Sequence, residues 1–190
     1  VWQPVAAECK RLGAMFQFFH LENWPGFKAG GINYALEQTA KDAEIIAVID
    51  SDYIVDPDWL KSLVPYFAKQ DVGFVQAPQD YRDWQENGFK AFCHWEYAGF
   101  FQIGMVQRNE SNAIIQHGTM TLVRKSALES VGNWGEWCIC EDSELGLRLY
   151  RAGYDSVYVK DSFGRGVTPD TLSGKSTKRD QWAYGAMQIL

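Results

Sequence analysis

Ile45-Ile46-Ala47-Val48-Ile49-Asp50-Ser51-Asp52 is the stretch on which the reading of this chain turns. An apolar run with no polar alternation leads straight into two carboxylates one residue apart. Such a run reads as a strand buried on both faces, as in a parallel sheet. The switch to Asp-Ser-Asp places both acids at the carboxyl end of that strand, the edge where open α/β sheets bind ligands. A hard divalent cation sharing its oxygens with a phosphate would use such a pair well. Taken alone, the pair is better read as two solvated loop acids, so the flanking sequence decides.

Upstream, residues 1–12 carry helical apolar spacing and residues 14–20 read as a strand. Trp24-Pro25-Gly26-Phe27-Lys28-Ala29-Gly30-Gly31-Ile32-Asn33 reads as a glycine-rich loop opening a helix that runs to about residue 41. Such a loop offers backbone N–H groups to an anion, and Lys28 would add a point charge for a diphosphate. The same residues also fit a tight loop with a solvated lysine. Downstream, Asp56-Pro57 is a helix-start signal, predicting a helix over residues 57–70 with a kink at Pro65. Residues 72–76 form another short apolar strand, and the alternation of helices and strands predicts a parallel sheet with covering helices.

Residues 80–109 break that rhythm with a long aromatic helical stretch (Trp84, Phe89, Phe92, Trp95, Phe100 and Phe101), read mainly as packing. Residues 114–123 read as one strand, or as two joined by a turn at His117-Gly118. Ser126 caps a short helix. Glu141, Asp142 and Glu144 cluster in the first turn of an apolar helix that ends near Gly153. Acids in a first turn stabilise the helix dipole, but three exceed that need, and a carboxylate held there could act as a general base. Residues 155–160 are a last strand, residues 162–178 a mobile Gly/Ser/Thr-rich segment, and residues 182–190 a final helix.

The 190 residues suffice for one domain with a real core. Eight Trp, nine Tyr and eleven Phe suit sugar faces or an apolar docking surface, beyond what the core absorbs. A net charge of −6 excludes the basic footprint of a nucleic-acid binder. No stretch approaches the roughly 20 apolar residues of a membrane span. Residues 89–106 come nearest, but Lys90, His94 and Glu96 interrupt them. Cys138-Ile-Cys140 has no second pair for a zinc site, so the four cysteines read as reduced, cytosolic thiols.

In order along the chain, Lys28-Ala29-Gly30-Gly31-Ile32-Asn33, Asp50-Ser51-Asp52, Gln76-Ala77-Pro78, His117-Gly118-Thr119, Glu141-Asp142 and the segment from Lys178 to Trp182 together resemble a family-2 glycosyltransferase. Within that family the chain resembles the bacterial membrane β-glucan and cellulose synthase branch. The resemblance implies the GT-A fold: an α/β, Rossmann-like mixed sheet flanked by helices, here incomplete at its N-terminus. It implies a single domain over residues 1–190, with a donor and metal portion at 1–78 and an acceptor and base portion at 79–190. Asp50 and Asp52 would hold Mg or Mn on a nucleotide-sugar diphosphate, with UDP-glucose the expected donor. Lys28, Asn33 and Arg179 would contact the donor. Asp142 would be the catalytic base, with Glu141, His117, Gly118, Thr119 and Trp182 lining the path of a polysaccharide acceptor.

The chemistry agrees independently, since displacing a nucleoside diphosphate needs charge neutralisation on one side and a base on the other. The last motif departs from the family's Gln-x-x-Arg-Trp, because Lys178 stands for its glutamine and Gln181 for its arginine. The resemblance further implies a parent protein with transmembrane helices outside this segment, working at the cytoplasmic face of the plasma membrane, the segment itself being soluble. A non-catalytic sugar-binding module and a sugar-nucleotide hydrolase are the alternatives.

Overall fold

The computed structural model describes residues 2–190, so the first residue of the expected N-terminal helix lies outside the described residues. In chain order the elements are α1 (Gln3–Leu12), α2 (Phe27–Glu37), β1 (Ile45–Val48), β2 (Ile54–Val55), α3 (Trp59–Leu63) and β3 (Val72–Gln76). They continue with α4 (Gly88–Gly99), α5 (Met105–Glu110), β4 (Thr121–Arg124), α6 (Lys125–Ser130), α7 (Glu141–Arg151), β5 (Asp155–Tyr158), β6 (Gly164–Arg165) and α8 (Leu172–Ile189).

The main sheet has the order β1-β4-β3-β5, and β2 pairs with β6 in a small second sheet. Only the β3–β5 contact is parallel, whereas β4 runs antiparallel to both β1 and β3. The sheet is therefore mixed, and the all-parallel expectation from helix–strand alternation is corrected. The reason is that the chain between β3 and β4 spends its helices (α4 and α5) before returning down the middle of the sheet. Burial on both faces is corrected for β1 as well. It is an edge strand among the described residues, and none of its residues is fully buried. The position with full burial is β3, which β4 and β5 flank.

Two apolar layers sandwich the sheet. Phe74, Val123 and Tyr158 point to one face, where Met105, Leu128, Leu145 and Leu149 cover them. Val75 and Leu122 point to the other, against Trp59, Leu63 and Phe67. Adjacent residues Leu122 and Val123 thus serve opposite layers, the period-two signature of a strand. A register shift between Val72 and Phe74 lets Val72 join the same layer as Val75.

Several local expectations give way to tertiary effects. Residues 14–20 form no strand, and Met15 is 91% exposed there because no partner strand lies alongside. The 57–70 helix is α3 followed by a 3₁₀ turn over Val64–Ala68, since Pro65 removes the amide an α-helix would use. The glycine-rich loop is helical from Phe27, with Gly26 in the left-handed conformation at its start, so Lys28 sits in the first turn of α2. Of residues 114–123, only the end forms a strand, and residues 114–117 take no regular secondary structure. Ser126 lies inside α6, and Arg124 takes the cap position without a side-chain bond. Residues 162–178 are ordered as β6 and the start of α8, which begins ten residues before the expected helix. Of the long aromatic stretch, residues 80–87 with Trp84 are not helical, and the helix is continuous from Gly88 through α4, a π-helical turn over Phe100–Gly104, and α5.

Candidate active site

The site is built around the turn His117-Gly118-Thr119, which enters β4 through Met120 in a left-handed conformation (φ 54°). A non-glycine residue in that region costs about 1–3 kcal/mol and persists only where its surroundings over-determine it. On one side of the turn, Lys28 Nζ donates to Gly118 O at 2.7 Å and to Asp50 Oδ1 at 2.5 Å. The backbone N–H of Asp50 donates to Thr119 Oγ1 at 2.9 Å. The helix start that carries Lys28 and the strand end that carries Asp50 are thereby joined through one loop.

On the other side lies the start of α7. A Cβ added to Gly118 would meet Lys28 Nζ at 3.1 Å, Asp142 Oδ2 at 3.2 Å and Glu141 Oε1 at 3.6 Å. The lysine and the two acids face each other across the space of one missing methyl group. This close approach is what the glycine permits.

The three acids of α7 have different environments. Glu144 is buried and bound twice by Arg148, at 2.5 and 2.6 Å. That arginine also donates to the carbonyls of Val131 and Asn133, so Glu144 ties α7 to the preceding loop. Asp142 is partly exposed, with Oδ1 accepting the Ser143 N–H at 2.7 Å. Glu141 is 5% exposed, and burial first, then the Asp142 charge, raises its pKa to about 7. Burial also depresses the His117 imidazole below its ordinary value, with Asp142 opposing, so the ring is neutral at pH 7. Its Nε2 is buried without a hydrogen-bond partner, and the Phe100 and Phe101 rings pack on the imidazole with centroids at 5.6 and 5.1 Å.

Asp52 is exposed, and its Oδ2 accepts the Val167 N–H at 3.1 Å. Its carbonyl accepts from Arg82, whose guanidinium also reaches Arg165 O, so the strap around β6 holds this corner. Gly166 lies so close to the Tyr53 ring and Asp52 Oδ2 that no Cβ fits there. Burial, reinforced by Asp52 and Asp50, pushes the Tyr53 phenol far above its usual range. No group of three or more His, Cys, Asp or Glu side chains is placed to hold a metal ion among the described residues. Asp50 and Asp52 would offer a hard cation two carboxylates at most, short of the six or more oxygens such an ion takes.

A cavity of about 410 Å³ opens beside Asp142, between α4, the start of α7 and α8. Its wall includes Tyr97, Phe101, His117, Asp142, Arg179 and Trp182. Trp182 is 49% exposed, with its ring centroid 6.4 Å from that of Tyr97. Arg179 and Lys175 both pair with Glu96 of α4, which anchors the front of α8. Asn33 lies away from this cavity. Its amide donates to Trp134 O and Glu136 Oε1, each at 2.9 Å, and clamps the loop before α7.

The structure thus gathers Lys28, Asp50, Gly118, Thr119, Glu141 and Asp142 around one turn, and His117, Asp142, Arg179 and Trp182 around one cavity. Sequence reasoning gave no role to Glu96, Arg82 or Gln76. Gln76 alone carried a signal, as a polar residue closing an apolar strand.

The fold and this corner define the class. The backbone superimposes on a mannosyltransferase from Pyrobaculum calidifontis, solved in complex with GDP-Man and Mn2+, with a TM-score of 0.68. That match covers 99% of this chain and 50% of the other at 19% identity, and it establishes a GT-A-like fold. The profile described as Glycosyltransferase like family 2 matches residues 5–185, and the chain belongs to that family. The catalytic polypeptide of a UDP-forming cellulose synthase from Dictyostelium discoideum is 33% identical over 171 residues, 87% of this chain. The chain spans 16% of that relative's length. No helix among the described residues is long and apolar enough to cross a membrane.

Proposed function

We propose that this chain forms the catalytic centre of an inverting hexosyltransferase that moves glucose from UDP-glucose onto a growing β-glucan or related polysaccharide. The observation that carries the reading is the Gly118 turn, which sets the Lys28–Asp50 pair against the Asp142 carboxylate with only a methyl-sized gap. Inverting transfer needs this polarity, with cationic groups on the departing diphosphate and a base on the opposite face of the sugar.

In this reading Lys28 neutralises diphosphate charge, and the Gly118 carbonyl aims its ammonium. Asp142 takes the proton from the acceptor hydroxyl, its second oxygen being steadied by the Ser143 N–H. Trp182 and Tyr97 offer ring faces in the cavity where an acceptor sugar would stack. A Mg or Mn ion held by Asp50 and Asp52 would supply Lewis-acid neutralisation of the leaving group. The metal-bound nucleotide-sugar complex of the mannosyltransferase and the UDP-forming name of the cellulose synthase support the donor class. Arg179, paired with Glu96 through one nitrogen, and Lys28, paired with Asp50, are the cationic groups offered to the donor. The same reading puts the longer protein, with membrane helices outside residues 1–190, at the cytoplasmic face of the plasma membrane.

Titrating UDP-glucose with and without Mn into the full-length protein, alongside a transfer assay, tests this. Metal-dependent binding lost in Asp52→Ala, and binding kept but transfer lost in Asp142→Asn, is the expected pattern. Transfer surviving in Asp142→Asn refutes the base. Donor binding without transfer in the unmodified protein indicates a binding module, and release of free glucose alone indicates a hydrolase.

A further inference from the structure

We infer that Gln76 is the positioning residue of this site, a buried staple that sets the distance between the donor-side lysine and the catalytic-side acid; the inference rests on the transferase reading above. Gln76 closes β3 and has no exposed surface. Its Oε1 accepts the His117 N–H at 2.9 Å. Its Nε2 donates to Ala77 O at 2.8 Å and to Thr119 O at 3.0 Å, with Met120 O also within reach at 3.3 Å. A primary amide offers two hydrogens and one carbonyl oxygen, and all are used here.

These bonds straddle Gly118, grasping the residue before it by its N–H and the residue after it by its C=O. The sheet does not need the side chain for this, because the Gln76 backbone is already paired, its carbonyl accepting the Val159 N–H at 3.0 Å. What the amide adds is a fixed turn, including the left-handed Met120. Three contacts that orient the site pass through that turn: Gly118 O to Lys28, Thr119 Oγ1 to the Asp50 N–H, and the Gly118 face toward Asp142. Gln76 makes no bond to Lys28, Asp50 or Asp142 and acts through the turn alone. An apolar side chain of equal length would leave the His117 N–H and the Thr119 carbonyl without these partners, and the turn would shift to find new ones.

The test is Gln76→Met in the full-length protein, with Gln76→Glu as a second variant that keeps the acceptor for His117 but removes the donors. Amide hydrogen exchange at His117 and at Asp50 is the first readout. Both amides should exchange about tenfold faster or more in Gln76→Met, although only His117 touches the side chain. Faster exchange at His117 with Asp50 unchanged would overturn the inference. The second readout is kinetic. Positioning predicts a kcat loss of about 100-fold with donor KM changed far less, and a much smaller loss when Lys28→Ala is already present. Losses that simply multiply, or equal kcat in Gln76→Met and the unmodified protein, refute it. Should Gln76→Met fail to fold, the same comparisons are read from Gln76→Glu. The exchange readout needs no turnover, so a protein that transfers no sugar would sink the functional proposal and leave this one still measured.

Discussion

Gly118→Ala is the sharpest perturbation available, because the added methyl group would enter the gap on which the functional proposal depends. Its Cβ would sit 3.1 Å from Lys28 Nζ and 3.2 Å from Asp142 Oδ2, closer than carbon normally approaches either. Gly118 does not have a positive φ, so alanine carries no backbone penalty there. Asp142 is tethered by the Ser143 N–H, whereas the Lys28 side chain is 40% exposed and flexible, so the lysine yields first. Moving it by a few tenths of an ångström weakens its bonds to Gly118 O and Asp50 together. Charge-assisted hydrogen bonds contribute about 1.5–3 kcal/mol, and partial exposure puts the expected loss near the lower end, about 1.5 kcal/mol. That is roughly a tenfold fall in kcat/KM. The same loss should lower Tm by only about 3–6 °C for a chain of this size. Steady-state transfer and scanning calorimetry on one preparation supply both numbers. Unchanged kcat/KM would refute the placement of Lys28 and Asp142 across the turn, and a Tm loss of about 10 °C would show that Gly118 serves folding instead.

Arg148→Leu removes four hydrogen bonds and leaves the nearly buried Glu144 unpaired. It should destabilise by about 3–5 kcal/mol and lower Tm by about 10 °C, whereas a calorimetric shift under about 3 °C would contradict a structural role for Glu144. Glu141 has a folded pKa of about 7, above its unfolded value of 4.5, so the native state binds the extra proton. Its contribution is complete below pH 4.5 and is lost as pH rises through about 7, making the protein less stable by roughly 3 kcal/mol above that range. Melting curves across that window should show a slope that Glu141→Gln flattens, and parallel curves would exclude the shift. Gly185 of α8 packs on Cys140, where an added Cβ would lie 2.7 Å from the cysteine Cβ and 3.1 Å from Ile139 Cγ2. Gly185→Ala should lift this helix, so alkylation of Cys140, followed by peptide mass spectrometry, should quicken about tenfold.

Local signals were readable where one short segment carries its own physics. The Asp50-Ser51-Asp52 corner follows a strand, as its apolar run required, and the acids at 141, 142 and 144 do open a helix. The same reasoning went astray where neighbours decide. Residues 14–20 have strand composition but no strand beside them. Residues 162–178 have loop composition, yet Arg82, Asp52 and Asp83 bind their backbone and Lys175 is buried against Glu96. Glu144 looked like one of three equivalent acids, and only Arg148 one turn later distinguishes it.

By itself, the sequence determined the α/β class, the acids at a strand end and a helix start, and, through the order of six weak motifs, the glycosyltransferase family. These depend on periodicity, on residue type and on motif order along the chain. The tertiary structure decided that β4 runs antiparallel through the middle of the sheet, and so delivers the turn at residues 117–119 between Lys28 and Asp142. It also decided that Gln76, 41 residues before His117, holds that turn. Such pairings depend on which strand end meets which loop, and no local pattern encodes a contact across a sheet.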